Sequence, residues 1–466
     1  MVRQAHHERK FPRALWWASA FAWAWVAPVM GQIAPAWAVT ARYAPATRSV
    51  EIESCARDAH ASVTFALAGR SGSPGAAPRR NHDGFEPTRG GWRAGGWRAG
   101  ECATFTVALP AAASGGLVRG SGMSGSVIVD PRQWLWLPVD ALGRSSTIKF
   151  VLPEGYGVSV PWRRLDDTDG RPTYALDANP LDGPALTAFG AFEERVVRKP
   201  GGVLRVVVLA PRESALAQRL NAWIDGIATV ALTASGRLPL RDAQVLVVPI
   251  AGSSEATPWG EVQRGGGSAL HLYPGADASA AVLRADWTAT HEIAHLFHPY
   301  LGTRGRWLSE GLASYYQNVL RARAGWLGVD DAVARLRAGF ERGRREEATA
   351  GTTPPAASAQ MHRQRAYMRV YWSGAAYWLT VDAHLRRTHA TSLDAVLARY
   401  ARCCLRGGDV ASPEHFIAAL DRLGGTREFS AEFARASRAT VFPEARMLDA
   451  LLDDPALRSA IFAPPS

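Results

Sequence analysis

Apolar and polar positions divide this chain into two parts with different periods. From Val39 to about Val197, short apolar or alternating runs are broken by Gly, Pro and Asp: Ser62 to Leu67, Ala103 to Leu109, Ser126 to Val129, Thr147 to Leu152 and Val158 to Trp162. Many short strands between turn formers predict an antiparallel β-sandwich over residues 39–200. Residues 70–101 interrupt the pattern with Gly, Pro and Arg, including the tandem Gly91-Trp92-Arg93-Ala94-Gly95 and Gly96-Trp97-Arg98-Ala99-Gly100. They read as a flexible loop, since one duplication is too little for a repeat architecture.

Beyond residue 200 the period lengthens. Leu204 to Leu209 reads as a strand, residues 213–234 as a helix, and Gln244 to Ile250 and Ser268 to Leu272 as further strands. Asp286 stands where it caps a helix whose apolar flank is Trp287, Ile293, Ala294 and Leu296. From Leu308 onward the pattern is nearly all helical. Ser412-Pro413-Glu414 combines a cap, a first-turn Pro and an acid, and Thr391 with Asp394 resembles a capping box. Ala348 to Ala359 reads as a Thr/Pro/Ala linker rimming a cleft. The fold class is therefore α+β and multidomain: a β-sandwich, a core with a small sheet over 201–325, and a helical part over 326–466.

Composition adds a compartment. Arg3, Arg9, Lys10 and Arg13 precede an apolar run from Leu15 to Met30, and Ala36-Trp37-Ala38 offers a small-x-small site. Residues 1–38 read as a signal peptide cut after Ala38, giving a periplasmic or secreted protein; an N-terminal membrane anchor is the alternative. The four cysteines suit an oxidising compartment. Cys55 and Cys102 flank the Gly-rich stretch and are expected to bridge, whereas adjacent Cys403 and Cys404 would form a strained ring, so one or both are expected to stay reduced. The net charge of +11 is carried by arginine, with only Lys10, Lys149 and Lys199 as lysines. No nucleic-acid module accompanies it, so nucleic acid is not an expected partner.

The chemistry concentrates in His291-Glu292-Ile293-Ala294-His295 and Trp307-Leu308-Ser309-Glu310-Gly311. Histidines four apart share one helical face, and neutral imidazole is a good zinc ligand. Glu292 projects beside them, where a carboxylate can take a proton from water. A catalytic zinc needs a third protein ligand and one open position, and Glu310 supplies that ligand after a Gly-rich turn. His298 lies on the same face, but a fourth protein ligand would close the site, so it reads as a supporting or helix-end residue.

These motifs, with Gly311-Leu312-Ala313-Ser314-Tyr315-Tyr316, resemble the gluzincin metallopeptidases. The nearest likeness is the glycyl aminopeptidase family, with aminopeptidase N more distant. The likeness continues in residues 317–325, Tyr371-Trp372-Ser373-Gly374-Ala375-Ala376 and Ser392-Leu393-Asp394-Ala395-Val396, and less specifically in Gly236-Arg237-Leu238-Pro239. It implies a thermolysin-like catalytic lobe in which one zinc ion is bound by His291, His295 and Glu310. It also implies Glu292 as general base, Tyr371 as the donor facing the oxyanion, and a peptide or protein substrate. Residues 268–272 then become the strand that receives the substrate backbone.

Two departures matter. Many relatives carry a C-terminal PDZ domain, which this chain is too short to hold. The glutamate-bearing motif that grips a substrate's free amine is matched only poorly, by Trp259-Gly260-Glu261. Three readings follow: an exported aminopeptidase, a zinc endopeptidase with a narrow protein substrate, and a catalytically silent zinc-containing binding protein.

Overall fold

A computed structural model of the chain describes residues 36–464 apart from 68–77, 81–83, 111–124, 140–145, 166–168, 177–178, 180–182 and 347–349. Most of the expected leader, and the part of the Gly-rich stretch at 70–77 and 81–83, lie outside the described residues.

The N-terminal strands form sheets wrapped around an aromatic core. A seven-stranded sheet centres on Trp37–Ala44 and Ser49–Ala56; against it lie a four-stranded sheet containing His60–Ala66 and Gly91–Trp97, and a three-stranded sheet containing Thr187–Gly190. Alternate residues from these strands, including Trp37, Val39, Ile52, Phe65, Phe105 and Phe150, are buried together, as period-2 patterning requires. One pairing departs from the antiparallel expectation: Trp37–Ala44 runs parallel to Thr147–Val151. Cys55 and Cys102 lie opposite each other on neighbouring strands and are joined.

The Trp-Arg segment is a strand, not a loop. Gly91–Trp97 pairs antiparallel with His60–Ala66, and Trp92, Ala94 and Trp97 enter the core while Arg93 faces out. The alternation of Trp92, Arg93 and Ala94 breaks at Gly96, where φ is positive and Trp97 turns inward. The Arg80 guanidinium covers the Trp97 ring at 4.3 Å and pairs with Glu101.

The second sheet has five strands in the order Arg195–Lys199, Gly202–Val208, Asp242–Val247, Ser268–Tyr273 and Trp259–Arg264. Its first strand forms a hairpin with the second, so the sheet begins before residue 200, earlier than the expected boundary. The three middle strands are parallel, and Trp259–Arg264 is an antiparallel edge. Consequently Ser268–Tyr273 is interior, with a partner on each side, and not an edge as expected; the edge beside it is Trp259–Arg264. Arg205, fully buried, ties this sheet to the sandwich: it pairs with Glu194 and Asp242 and donates to the carbonyls of Val160 and Trp162.

Helices complete the molecule. Arg306–Arg323 and Tyr367–Thr388 pack at their closest where two glycines meet; a Cβ on Gly311 would lie 2.3 Å from the Gly374 Cα, and one on Gly374 would lie 1.7 Å from the Trp307 carbonyl oxygen. No other residue permits that approach. Behind it, Tyr315 and Tyr316 donate to Asp382 and Asp394, which also receive Arg386 and Arg323. Asp394 is thus a buried counter-charge rather than half of a capping box, and the cap of Leu393–Cys403 is Ser392, whose hydroxyl accepts from the Ala395 N–H. Ser412 caps Pro413–Gly424 as its sequence predicts. The second half of the expected linker belongs to a helix, Pro354–Gln364, because prolines in a first turn cost no hydrogen bond; residues 348–349 lie outside the described residues. Cys403 and Cys404 are joined to each other, contrary to expectation. Among the described residues, no helix is long and apolar enough to cross a membrane.

Candidate metal centre

Three short-range features bring the centre together. Thr288–Ala294 and the following turn His295–Phe297 carry both histidines, and the Asp286 carboxylate accepts from the Thr288 N–H, holding the helix start. Trp287 does not join the apolar flank; it is 42% exposed, with its ring edge-on to His291 at 5.5 Å between centroids. A sharp connection through Gly302 and Gly305 then returns Arg306–Arg323 beside the histidines.

The Glu310 Oε2 lies 3.2 Å from His291 Nε2 and 3.6 Å from His295 Nε2. Ligand atoms at about 2.0–2.2 Å from one tetrahedral ion stand roughly 3.3–3.6 Å apart, so these donors suit a single zinc. Two imidazoles and a carboxylate are also a zinc donor set, and no other group of His, Cys, Asp and Glu among the described residues converges this way.

Each imidazole is turned by a neighbour that fixes its tautomer. His291 Nδ1 donates to the Gln317 Oε1 at 2.8 Å, leaving Nε2 as the free lone pair. On the other ring, His298 Nδ1 donates to the Pro299 carbonyl at 2.7 Å, so its Nε2 can only accept. His295 Nδ1 points into this acceptor at 3.2 Å and into the Ser309 Oγ at 3.2 Å, again freeing Nε2. Burial, with repulsion from His295 and Arg264, keeps His298 well below the usual histidine range and therefore neutral. Arg264 of the edge strand donates to the carbonyls of His295 and His298, satisfying the end of the histidine segment, and burial pulls its own pKa down to about 10.

Gln317 is the orienting group that the sequence did not single out. Gln317, seven residues after Glu310, occupies the same helix face two turns away. Replacing it by leucine should keep the fold and weaken zinc binding by about 10–100-fold, measured by competition with a fluorescent chelator. Unchanged affinity would remove Gln317 from the centre.

Glu292 is buried next to the edge strand. A Cβ on Gly260 would approach its Cγ to 2.8 Å and the Thr288 Cγ2 to 3.0 Å, so only glycine lets the strand lie this close. Burial pushes the Glu292 carboxyl up, opposed by His291 and His295. Burial also acts to raise Glu310, yet His295 and His291 hold it far below the ordinary carboxylate range. Tyr371 stacks on the His291 ring at 5.8 Å. Burial, then the charges of Glu310 and Glu292 and a hydrogen bond to Glu310, push the phenol far above its ordinary value, so it remains a proton donor. Tyr315, Tyr316 and Tyr377 are engaged elsewhere in the core, which singles out Tyr371. Every sequence-predicted site residue therefore meets at one place.

Glu261 sits one residue along from Gly260. Burial would raise it, but the hydrogen bonds from His271 at 3.2 Å and Gln263 at 2.8 Å keep it charged.

Comparison with known proteins places this geometry. The profile of the M61 glycyl aminopeptidase family matches residues 288–380, the stretch holding all five residues. No curated protein matches the chain. Among solved structures, an aminopeptidase N family protein from Idiomarina loihiensis superposes with a TM-score of 0.57 at 11% identity, over 92% of this chain and 76% of that one. An M1 zinc metallopeptidase from Deinococcus radiodurans superposes with a TM-score of 0.51 at 15% identity, over 88% and 94%. A two-domain M1 zinc metallopeptidase variant bound to L-arginine gives 0.52 at 16% identity, over 88% and 94%. At these identities the structures share a fold, α+β with N-terminal sheets and a helical C-terminal part.

Proposed function

We propose that this chain, a gluzincin zinc metallopeptidase, is an exported, aminopeptidase-like enzyme that cleaves peptides at one zinc held by His291, His295 and Glu310. The observation that carries the reading is the meeting of these donors with Glu292 and Tyr371 beside an open edge strand. Zinc bound there would supply Lewis acidity, lowering the pKa of water toward roughly 7 and polarising a carbonyl. The substrate backbone would add to Trp259–Arg264 as a further strand, which brings its scissile carbonyl past Gly260 and toward Glu292. Glu292 takes the proton of the attacking water and returns it to the departing amine. The Tyr371 hydroxyl donates to the carbonyl oxygen as negative charge grows there, a contact strongest in the transition state.

Glu261 supports the aminopeptidase side of the reading. Its charged carboxylate adjoins Gly260 and lies close enough to Glu292 to raise that group, so an ammonium entering along the edge strand would meet negative charge. Paired peptides test this: free N-termini should be cleaved and N-acetylated ones left intact. Equal cleavage of both would make the enzyme an endopeptidase.

Export rests on the N-terminal leader, and Trp37 bears on where it ends. Trp37 is fully buried, stacks on His60 at 5.4 Å, and begins a strand in which Ala38 pairs with both Cys55 and Thr147. Losing a buried Trp side chain costs about 3–5 kcal/mol. That supports a cut after Ala36, where Ala34-Pro35-Ala36 is also small-x-small, rather than after Ala38. N-terminal sequencing of the exported protein should begin at Trp37; a start at Val39 would contradict this.

A further inference from the structure

A pocket of about 330 Å³ opens beside the metal centre, lined by Trp287, Gln317, Arg335, Arg342, Tyr371 and Trp372 among others. Two of these residues touch the donors directly, Gln317 through His291 and Tyr371 through Glu310. A larger cavity of about 600 Å³, beside Leu301, Trp307 and Val410, contains none of the donors. The smaller pocket stands at the low end of the roughly 300–1,000 Å³ of ligand sites, room for one side chain or chain end.

Its charge is one-sided. Arg335 and Arg342 are seven residues apart on Val329–Arg345, so they share a face. Both are exposed, no carboxylate lines the pocket, and neither arginine has an ion-pair partner among the described residues. Arg342 lies over the Trp372 ring at 5.2 Å, which positions its guanidinium. Beneath them, Arg321 is buried, with its Nη2 on the Ala285 carbonyl and its Nε and Nη1 without a hydrogen-bond partner among the described residues. It feels Arg335 as a repelling neighbour and Asp286 as its attracting one. Glu310 and Glu292, the acids nearest the Tyr371 wall, belong to the metal centre.

We propose that this pocket is a carboxylate subsite, binding an acidic side chain or the C-terminal carboxylate of the peptide being cleaved through Arg335 and Arg342. The inference rests on the peptidase reading above. A guanidinium recognises a carboxylate through bidentate, charge-assisted hydrogen bonds, together worth about tenfold in kcat/KM.

The test uses the zinc-loaded protein and peptide sets in which Glu, Gln or Lys occupies each position around the scissile bond, each made with a free or amidated C-terminus. One position should favour Glu over Gln by about tenfold, or the free acid should exceed the amide by as much. The first result identifies a side chain as the ligand and the second a chain end. In R335Q/R342Q the ratio should fall to near one, and in R335E/R342E Lys should be preferred, with zinc content equal to that of the parent protein. Equal kcat/KM for Glu, Gln, Lys, acid and amide, with hydrolysis intact, overturns the subsite and leaves the peptidase reading standing. No hydrolysis of any peptide overturns that reading and the subsite with it.

Discussion

Glu292→Gln should retain zinc and lose hydrolysis by about 10²–10⁴-fold, the range expected when a general base is removed. Glutamine matches glutamate in volume, so it fits beside Gly260, where even an added Cβ on the glycine would come within 2.8 Å of the Glu292 Cγ. Its amide cannot take a proton from water, and it donates none of the three atoms that converge on the metal position. The loss should fall on kcat, because the missing step is made only in the transition state. Substrate affinity, set by the edge strand and the pockets, should move little. Turnover near that of the parent protein would sink the base assignment.

The second large effect is expected at Glu310. Glu310→Ala should lose zinc itself, with affinity falling by more than the roughly 10–100-fold of an orienting partner, and activity should fall with it. The two Nε2 atoms would remain, but a carboxylate that pairs with both at 3.2 and 3.6 Å would be gone. Tyr371 would also lose its hydrogen-bond partner. Elemental analysis of dialysed protein reads the first effect and circular dichroism controls for folding, since Gly311, not Glu310, sets the helix contact with Gly374. A full zinc complement in this variant would exclude Glu310 as a ligand. The contrast between the two variants, one silent with its metal and one silent without it, separates proton transfer from metal binding.

The proposed site residues were legible in the sequence because their geometry is local. Helical spacing alone puts His291 and His295 on one face and Glu292 beside them, and a short Gly-rich turn returns Glu310. Tyr371 was legible only through family likeness; the structure adds the stacking on His291 that distinguishes it from the other tyrosines. Gln317 was not legible, because a glutamine two turns along a helix becomes an orienting group only when a second helix brings an imidazole to it. The edge strand was mistaken for the same reason. Strand order in a sheet is not sequence order, so Ser268–Tyr273, nearer the metal helix in sequence, lies inside Trp259–Arg264. In the sandwich, Gly91–Trp97 is rich in glycine and arginine, residues that propensity assigns to loops, and its alternation breaks at Gly96, so only the inward turn of Trp92, Ala94 and Trp97 marks it as a strand.

On the proposed reading, one zinc and Glu292 together cleave peptides. Zinc content and turnover of a free-amine peptide, measured side by side on the parent protein and Glu292→Gln, test it most directly. Both should hold one zinc per chain, with turnover in the parent that a chelator abolishes and zinc restores, and almost none in the variant. A parent protein that cleaves peptides without zinc, or that holds zinc and cleaves nothing, would contradict it.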